Sequence, residues 1–111
     1  MMAYTNTYRF ARTSPRKARL VVDMIRGKSW AEARTLLQFS KRRAATMVLK
    51  ALEAAAANAE NEGELDPRRL RVTEARVDEG PTMKRFQPKD RGRAFPIHKK
   101  TSHIVVSVDE R

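Results

Sequence analysis

More than twenty residues between two strand-like segments, from Gly80 to Ser102, cannot supply a core, and this stretch most restricts the fold. Pro81, Pro88 and Pro96 forbid a helix there. Gly92, within Asp90-Arg91-Gly92-Arg93, suits a tight reversal. Around that midpoint the composition is nearly mirror-symmetric. Met83, Lys84, Arg85 and Phe86 lead out, and Phe95, Ile97, Lys99 and Lys100 return. Connections this long are uncommon inside a compact domain unless they are functional or disordered. The pattern predicts a hairpin projecting from a folded body, with its tip at Pro88, Lys89, Asp90, Arg91, Gly92 and Arg93. Each arm of about ten residues, at ~3.3 Å rise, reaches roughly 30 Å.

The charge is concentrated in the same place. The chain of 111 residues carries a net charge of +11. Residues 81–103 hold seven Lys or Arg and one acid, more than half of that excess in about a fifth of the length. A solvated charge run is the bland explanation, but the residues between the cations argue against it. A hairpin of bare apolar and cationic side chains does not stand alone in water. Lys and Arg neutralise phosphates, while Phe86, Phe95 and guanidinium planes stack on unpaired bases. An internal extension of this composition, flanked by good strands, points to a segment embedded in folded RNA.

The remainder reads as one α+β domain, residues 1–111. Tyr4, Asn6, Tyr8 and Phe10 share one side of a period-2 pattern, with Thr5, Thr7 and Arg9 on the other. Ser14-Pro15 reads as the N-cap and first position of a helix whose buried stripe is Ala18, Val21, Val22 and Ile25. Arg16, Arg19, Asp23 and Arg26 fall on another face, and Gly27 suits the left-handed stop. Ser29 to Glu32 has capping-box spacing and opens a second helix, with Trp30, Ala33, Leu36 and Leu37 as its expected inward face. Ser40 is expected to cap a third helix, about Lys41 to Asn61, rich in alanine on its packed side. Its first turn would hold Lys41, Arg42 and Arg43, where the helix dipole prefers anions. That local cost suggests a phosphate site, against the alternative of an exposed turn. Leu70 to Glu79 reads as a strand with a bulge between Val72 and Ala75, and Ile104 to Val108 as a clean strand. The order is β-α-α-α-β-β, three helices packed on a small antiparallel sheet, plus the long β-hairpin extension of about residues 80–102.

Composition removes several function classes. With no cysteine there is no disulfide scaffold, thiolate zinc site or Cys nucleophile. The longest uninterrupted apolar run falls far short of a membrane span. Residues Met1 to Phe10 lack the pattern of a signal peptide, so a soluble intracellular protein is expected. His98 and His103 are the only histidines, and nothing pairs them with a positioned acid or base, which argues against an enzyme, a metal site or a cofactor. A free-standing basic nucleic-acid-binding protein is the alternative, although no two-fold dimer seam is evident and no homo-oligomer is expected.

Five segments carry a resemblance. They are Ser14-Pro15-Arg16-Lys17-Ala18-Arg19-Leu20-Val21, Asp23-Met24-Ile25-Arg26-Gly27-Lys28, Ala57-Asn58-Ala59-Glu60-Asn61, Val77 through Arg85, and Lys100-Thr101-Ser102-His103-Ile104. In this order they resemble the signatures of the twenty-second protein family of the large ribosomal subunit, in its bacterial form. The resemblance implies a body bound to large-subunit rRNA near the peptide exit, a role early in subunit assembly, and a hairpin lining the exit tunnel. It implies as partners rRNA, neighbouring large-subunit proteins and the nascent polypeptide, with no membrane. The compartment would be the cytoplasm, in the ribosome, or an organelle with bacterial-type ribosomes. The expected rRNA-binding set is Arg12, Ser14, Arg16, Lys17, Arg19, Arg26, Lys28, Lys41, Arg42 and Arg43 in the body. In and beside the hairpin it is Lys84, Arg85, Phe86, Lys89, Arg91, Arg93, Lys99, Lys100, Thr101, Ser102 and His103.

Overall fold

Ile104, Val106 and Val108 are wholly buried, and the strand that carries them is the middle of the sheet. The computed structural model describes residues 4–81, 83–89 and 93–110, with backbone alone considered for 83–89 and 93–99. Its elements are β1 (Tyr4–Ala11), α1 (Pro15–Ile25), α2 (Trp30–Gln38), α3 (Arg43–Gly63), a 3-10 turn (Pro67–Arg69), β2 (Leu70–Glu79), β3 (Met83–Lys89), β4 (Arg93–Lys99) and β5 (Ser102–Glu110). The body sheet runs β1-β5-β2, antiparallel throughout, with Tyr8 and Val77 both opposite Ile104. The three helices cover one face, as the α+β reading expected.

The helix starts follow from their caps. Ser14 Oγ accepts from Lys17 N–H at 3.4 Å with Pro15 behind it, and Ser29 Oγ accepts from Glu32 N–H at 3.3 Å. Gly27, at φ 80, makes the turn between α1 and α2 that other residues adopt only under strain. In α3 the packed residues are Ala44, Ala45, Val48, Ala51, Leu52, Ala55, Ala56 and Ala59. These short side chains let a 21-residue helix lie close on β1 and β5. At its end Gly63 has a packing reason, since a Cβ there would run into the Tyr4 ring. The left-handed C-cap is Glu64, at φ 53.

Three local expectations are corrected. Helix α3 begins at Arg43, two residues later than expected, and Ser40 does not cap it. Its Oγ accepts from Arg42 N–H at 3.3 Å in a turn of its own, and the true N-cap, Arg42, has no side-chain cap bond. Leu36 is exposed, because the inward arc of α2 is narrowed to Ala33 and Leu37 with Trp30 half-buried beside them. Phe10 is 60% exposed instead of sharing the inner side with Tyr4 and Tyr8. The cause is a register shift between Tyr8 and Ala11, which puts Arg9 and Phe10 together opposite His103 and turns Ala11 inward.

The expected bulge in β2 is present. Thr73 is the extra residue between the Val72–Val108 and Glu74–Ser107 pairs, so burial passes from even positions to Ala75 and Val77. Strands β3 and β4 form a separate two-stranded ribbon, paired from Met83–Lys99 to Lys89–Arg93. That register is centred on residue 91, within the Asp90–Arg93 midpoint expected from the sequence. The expected tip residues Asp90, Arg91 and Gly92 lie outside the described residues. The extension lengthens the chain to 61 Å, with a radius of gyration of 16.8 Å against about 13 Å for a compact domain of this size.

Candidate nucleic-acid interface

The ribbon leaves the body through a neck in which backbone and small polar side chains are tightly paired. Gly80 N–H donates to Thr101 O at 3.0 Å, and Thr101 Oγ1 donates to Pro81 O at 2.5 Å. Ser102 Oγ donates to Thr13 O at 2.7 Å, tying the segment before α1 to the same place. A Cβ on Gly80 would meet Thr101 Oγ1 at 2.6 Å, so the two arms can approach this closely only with glycine. Thr101 and Ser102 are buried, and their hydroxyls hold the neck together.

The cations of the body fall into two populations by their partners. Arg34 lies beside Glu53, Arg68 beside Asp66, Arg69 beside Glu110, and Arg76 beside both Glu74 and Asp78. The hydrogen bond and charge of Asp78, with Glu74 assisting, raise the Arg76 pKa further. Bonds from Arg68 hold the Asp66 carboxyl below its ordinary 3.8. Arg9, Arg12, Arg16, Lys17 and Lys100 are exposed and have no acidic partner among the described residues. Arg9 lies at the end of β1, Arg12 in the loop after it, Arg16 and Lys17 on the first turn of α1 and Lys100 on the return arm, all in segments that the Ser102–Thr13 and Gly80–Thr101 bonds bring to the neck. They form a basic collar at the neck. Lys28, Lys50 and Arg71 are also unpaired among the described residues but lie elsewhere, so Lys28 is not brought to the collar.

Two arginines of the expected set also serve the fold. Arg26 donates to Ala75 O through Nε (3.2 Å) and an Nη (2.7 Å), while its other Nη contacts Asp23 at 2.7 Å. Arg19 donates to Val77 O at 3.2 Å. Val72 exchanges bonds with Gly27 and Lys28, so the free edge of β2 is covered along its length. Arg26→Met is therefore expected to lower unfolding stability by about 1 kcal/mol, the net worth of such a hydrogen bond, as read by urea titration. An unchanged midpoint would mean that water replaces the side chain at no cost.

Lys41, Arg42 and Arg43 are exposed at the α2–α3 junction. Gly63 sits by Tyr4 at the start of β1, so the other end of α3, about 30 Å away, lies toward the neck end of the sheet. With Arg43 as the first helical residue and Arg42 as N-cap, the cations flank the first free N–H groups of α3. The side-chain positions of Lys84, Arg85, Phe86, Lys89, Arg93 and Lys99 lie outside the described residues.

Sequence periodicity missed Phe10. Its N–H donates to His103 Nδ1 at 3.1 Å, and the two rings meet edge-on, 4.9 Å apart at 83°. A ring that alternation puts on the side of Tyr4 and Tyr8 is thus presented at the collar, beside Arg9 and Arg12.

Residues 7–109 match the family model described as ribosomal protein L22p/L17e. The chain belongs to that family. It is 55% identical over 103 residues to the large ribosomal subunit protein uL22 of Lactobacillus gasseri, covering 93% of this chain and 88% of that one. The uL22 protein of Lactobacillus johnsonii matches to the same extent. The L22p/L17e match takes in the β1 bulge, the collar, the whole ribbon and most of β5.

Proposed function

We propose that this chain is a structural constituent of the large ribosomal subunit. It binds large-subunit rRNA through the collar, supports early subunit assembly, and lines the polypeptide exit tunnel with the hairpin of residues 80–102. The observation that carries this reading is the gathering of unpaired cations around the neck of an extended ribbon. Cations without acidic partners neutralise phosphates at no cost in broken ion pairs. A two-stranded ribbon gains from RNA the support it lacks in water. Family membership supplies the identity of the particle.

On this reading Arg12, Arg16, Lys17, Lys100 and the Lys41–Arg43 group contact phosphate. Ser14, Thr101 and Ser102 position the backbone around them. The partners are large-subunit rRNA, neighbouring large-subunit proteins and the nascent polypeptide, and the place of action is the ribosome of a bacterial-type cytoplasm. No catalytic step, metal, cofactor, membrane or homo-oligomer enters the proposal. Sedimentation of a bacterial lysate containing the tagged chain, at high magnesium, tests it. Comigration with large subunits is expected. Comigration with chromosomal DNA would replace this reading with that of a free-standing nucleic-acid-binding protein.

A further inference from the structure

We propose that Phe10 is a stacking platform for one unpaired base of an RNA loop, a role that rests on the rRNA-binding reading above. A single exposed phenylalanine needs no explanation. Three features set this one apart. Its backbone is left-handed, at φ 55, where a bulky L side chain is a genuine outlier. The regular register of β1 would relieve that strain and turn the ring toward the helices, yet the bulge exposes it. Finally, its position is restrained, since its own N–H is held by His103 Nδ1 and its ring lies edge-on to the imidazole.

The ligand chemistry follows from what surrounds the ring. Arg9 and Arg12 are exposed and unpaired among the described residues, which suits the phosphates on either side of a splayed nucleotide. Phe10 has no hydrogen-bonding group, so it accepts any base by its π-face. Duplex RNA, with its bases already stacked, offers nothing to such a ring. The expected target is a loop, bulge or strand end.

The test compares full-length wild type with Phe10→Gly, Phe10→Leu and Phe10→Tyr. Binding to in-vitro transcribed bacterial large-subunit rRNA is measured over a range of salt, and melting temperature is measured alongside. Glycine removes the ring but suits the left-handed backbone, so Phe10→Gly is expected to melt no lower than wild type. Its affinity is expected to fall about ten- to one-hundred-fold with an unchanged salt slope, since a base contact and no phosphate contact is lost. Phe10→Leu, which keeps apolar bulk without a π-face, should lose a comparable factor, and Phe10→Tyr should bind as wild type. Wild-type affinity in both Phe10→Gly and Phe10→Leu would overturn the platform and leave the rRNA-binding reading standing. So would a fall in affinity accompanied by a shallower slope, which would assign the effect to displaced arginines. Failure of the wild-type chain itself to bind this RNA would overturn the rRNA-binding reading, and the platform with it.

Discussion

A chain lacking residues 84–98, with Met83 and Lys99 joined through Asn-Gly, is expected to fold, to enter large subunits, and to alter what happens in the exit tunnel. Met83 and Lys99 are directly opposite in the ribbon, and Asn-Gly is the preferred two-residue hairpin turn. The ribbon pairs only within itself, and the body core described above comes from Ala11 to Val77 and from β5. Melting temperature should therefore stay within a few degrees of wild type. The neck bonds among Gly80, Pro81, Thr101, Ser102 and Thr13 are retained, and so is the collar. Incorporation near the wild-type level is expected in cells that depend on the variant. Sensitivity to small molecules or nascent peptides that lodge in the tunnel should change. If the shortened chain folds but is absent from large subunits, the ribbon supplies the decisive part of the RNA interface and the two roles are not separable.

Replacing Lys41, Arg42 and Arg43 together by glutamine is expected to weaken rRNA binding without lowering stability. If each contacts a phosphate, the log–log salt slope for rRNA binding should become shallower by about two to three units. The three cations also sit at a helix N-terminus, where positive charge is unfavourable by about 0.3–1 kcal/mol per residue at low salt. Removing them should leave stability unchanged or raise it slightly, as read by chemical denaturation. An unchanged slope would mean that these side chains face solvent in the complex, and that the collar beside the ribbon carries the phosphate contacts without them.

Many features of the fold were legible because they depend on neighbours a few residues away. The Ser14 and Ser29 caps, the α1 stripe, the turn at Gly27 and the slip in β2 are local in this sense. The hairpin was legible too, since a two-stranded ribbon takes its register from its own turn, and the composition mirrors about Asp90–Arg93, where the pairing is centred. Charge distribution along the chain marked the right region for a polyanion. It could not distinguish Arg12 from Arg26, because an arginine's role depends on which groups the fold brings to it. Ala75 O is 49 residues from Arg26, and it is the packing of α1 against the outer edge of β2 that makes the bond.

Burial of the non-alternate residues of β5 likewise needed its two neighbours. Val105 and Ser107 sit on the face away from the helices, yet β1 and β2 cover them from both sides, with Thr5 Oγ1 sharing a 2.7 Å hydrogen bond with Ser107 Oγ. The start of α3 depended on a choice between two local bonds for the Ser40 hydroxyl, and the Ser40-to-Arg42 turn won. Phe10 is the clearest case. Alternation along β1 holds only while the pairing with β5 keeps its register, and an extra residue opposite His103 reverses it. From sequence alone, then, came the elements, the hairpin and the basic end of the molecule. Tertiary pairing decided which side chains at that end are left without partners, because a one-residue shift or a distant carbonyl leaves no trace in the local pattern.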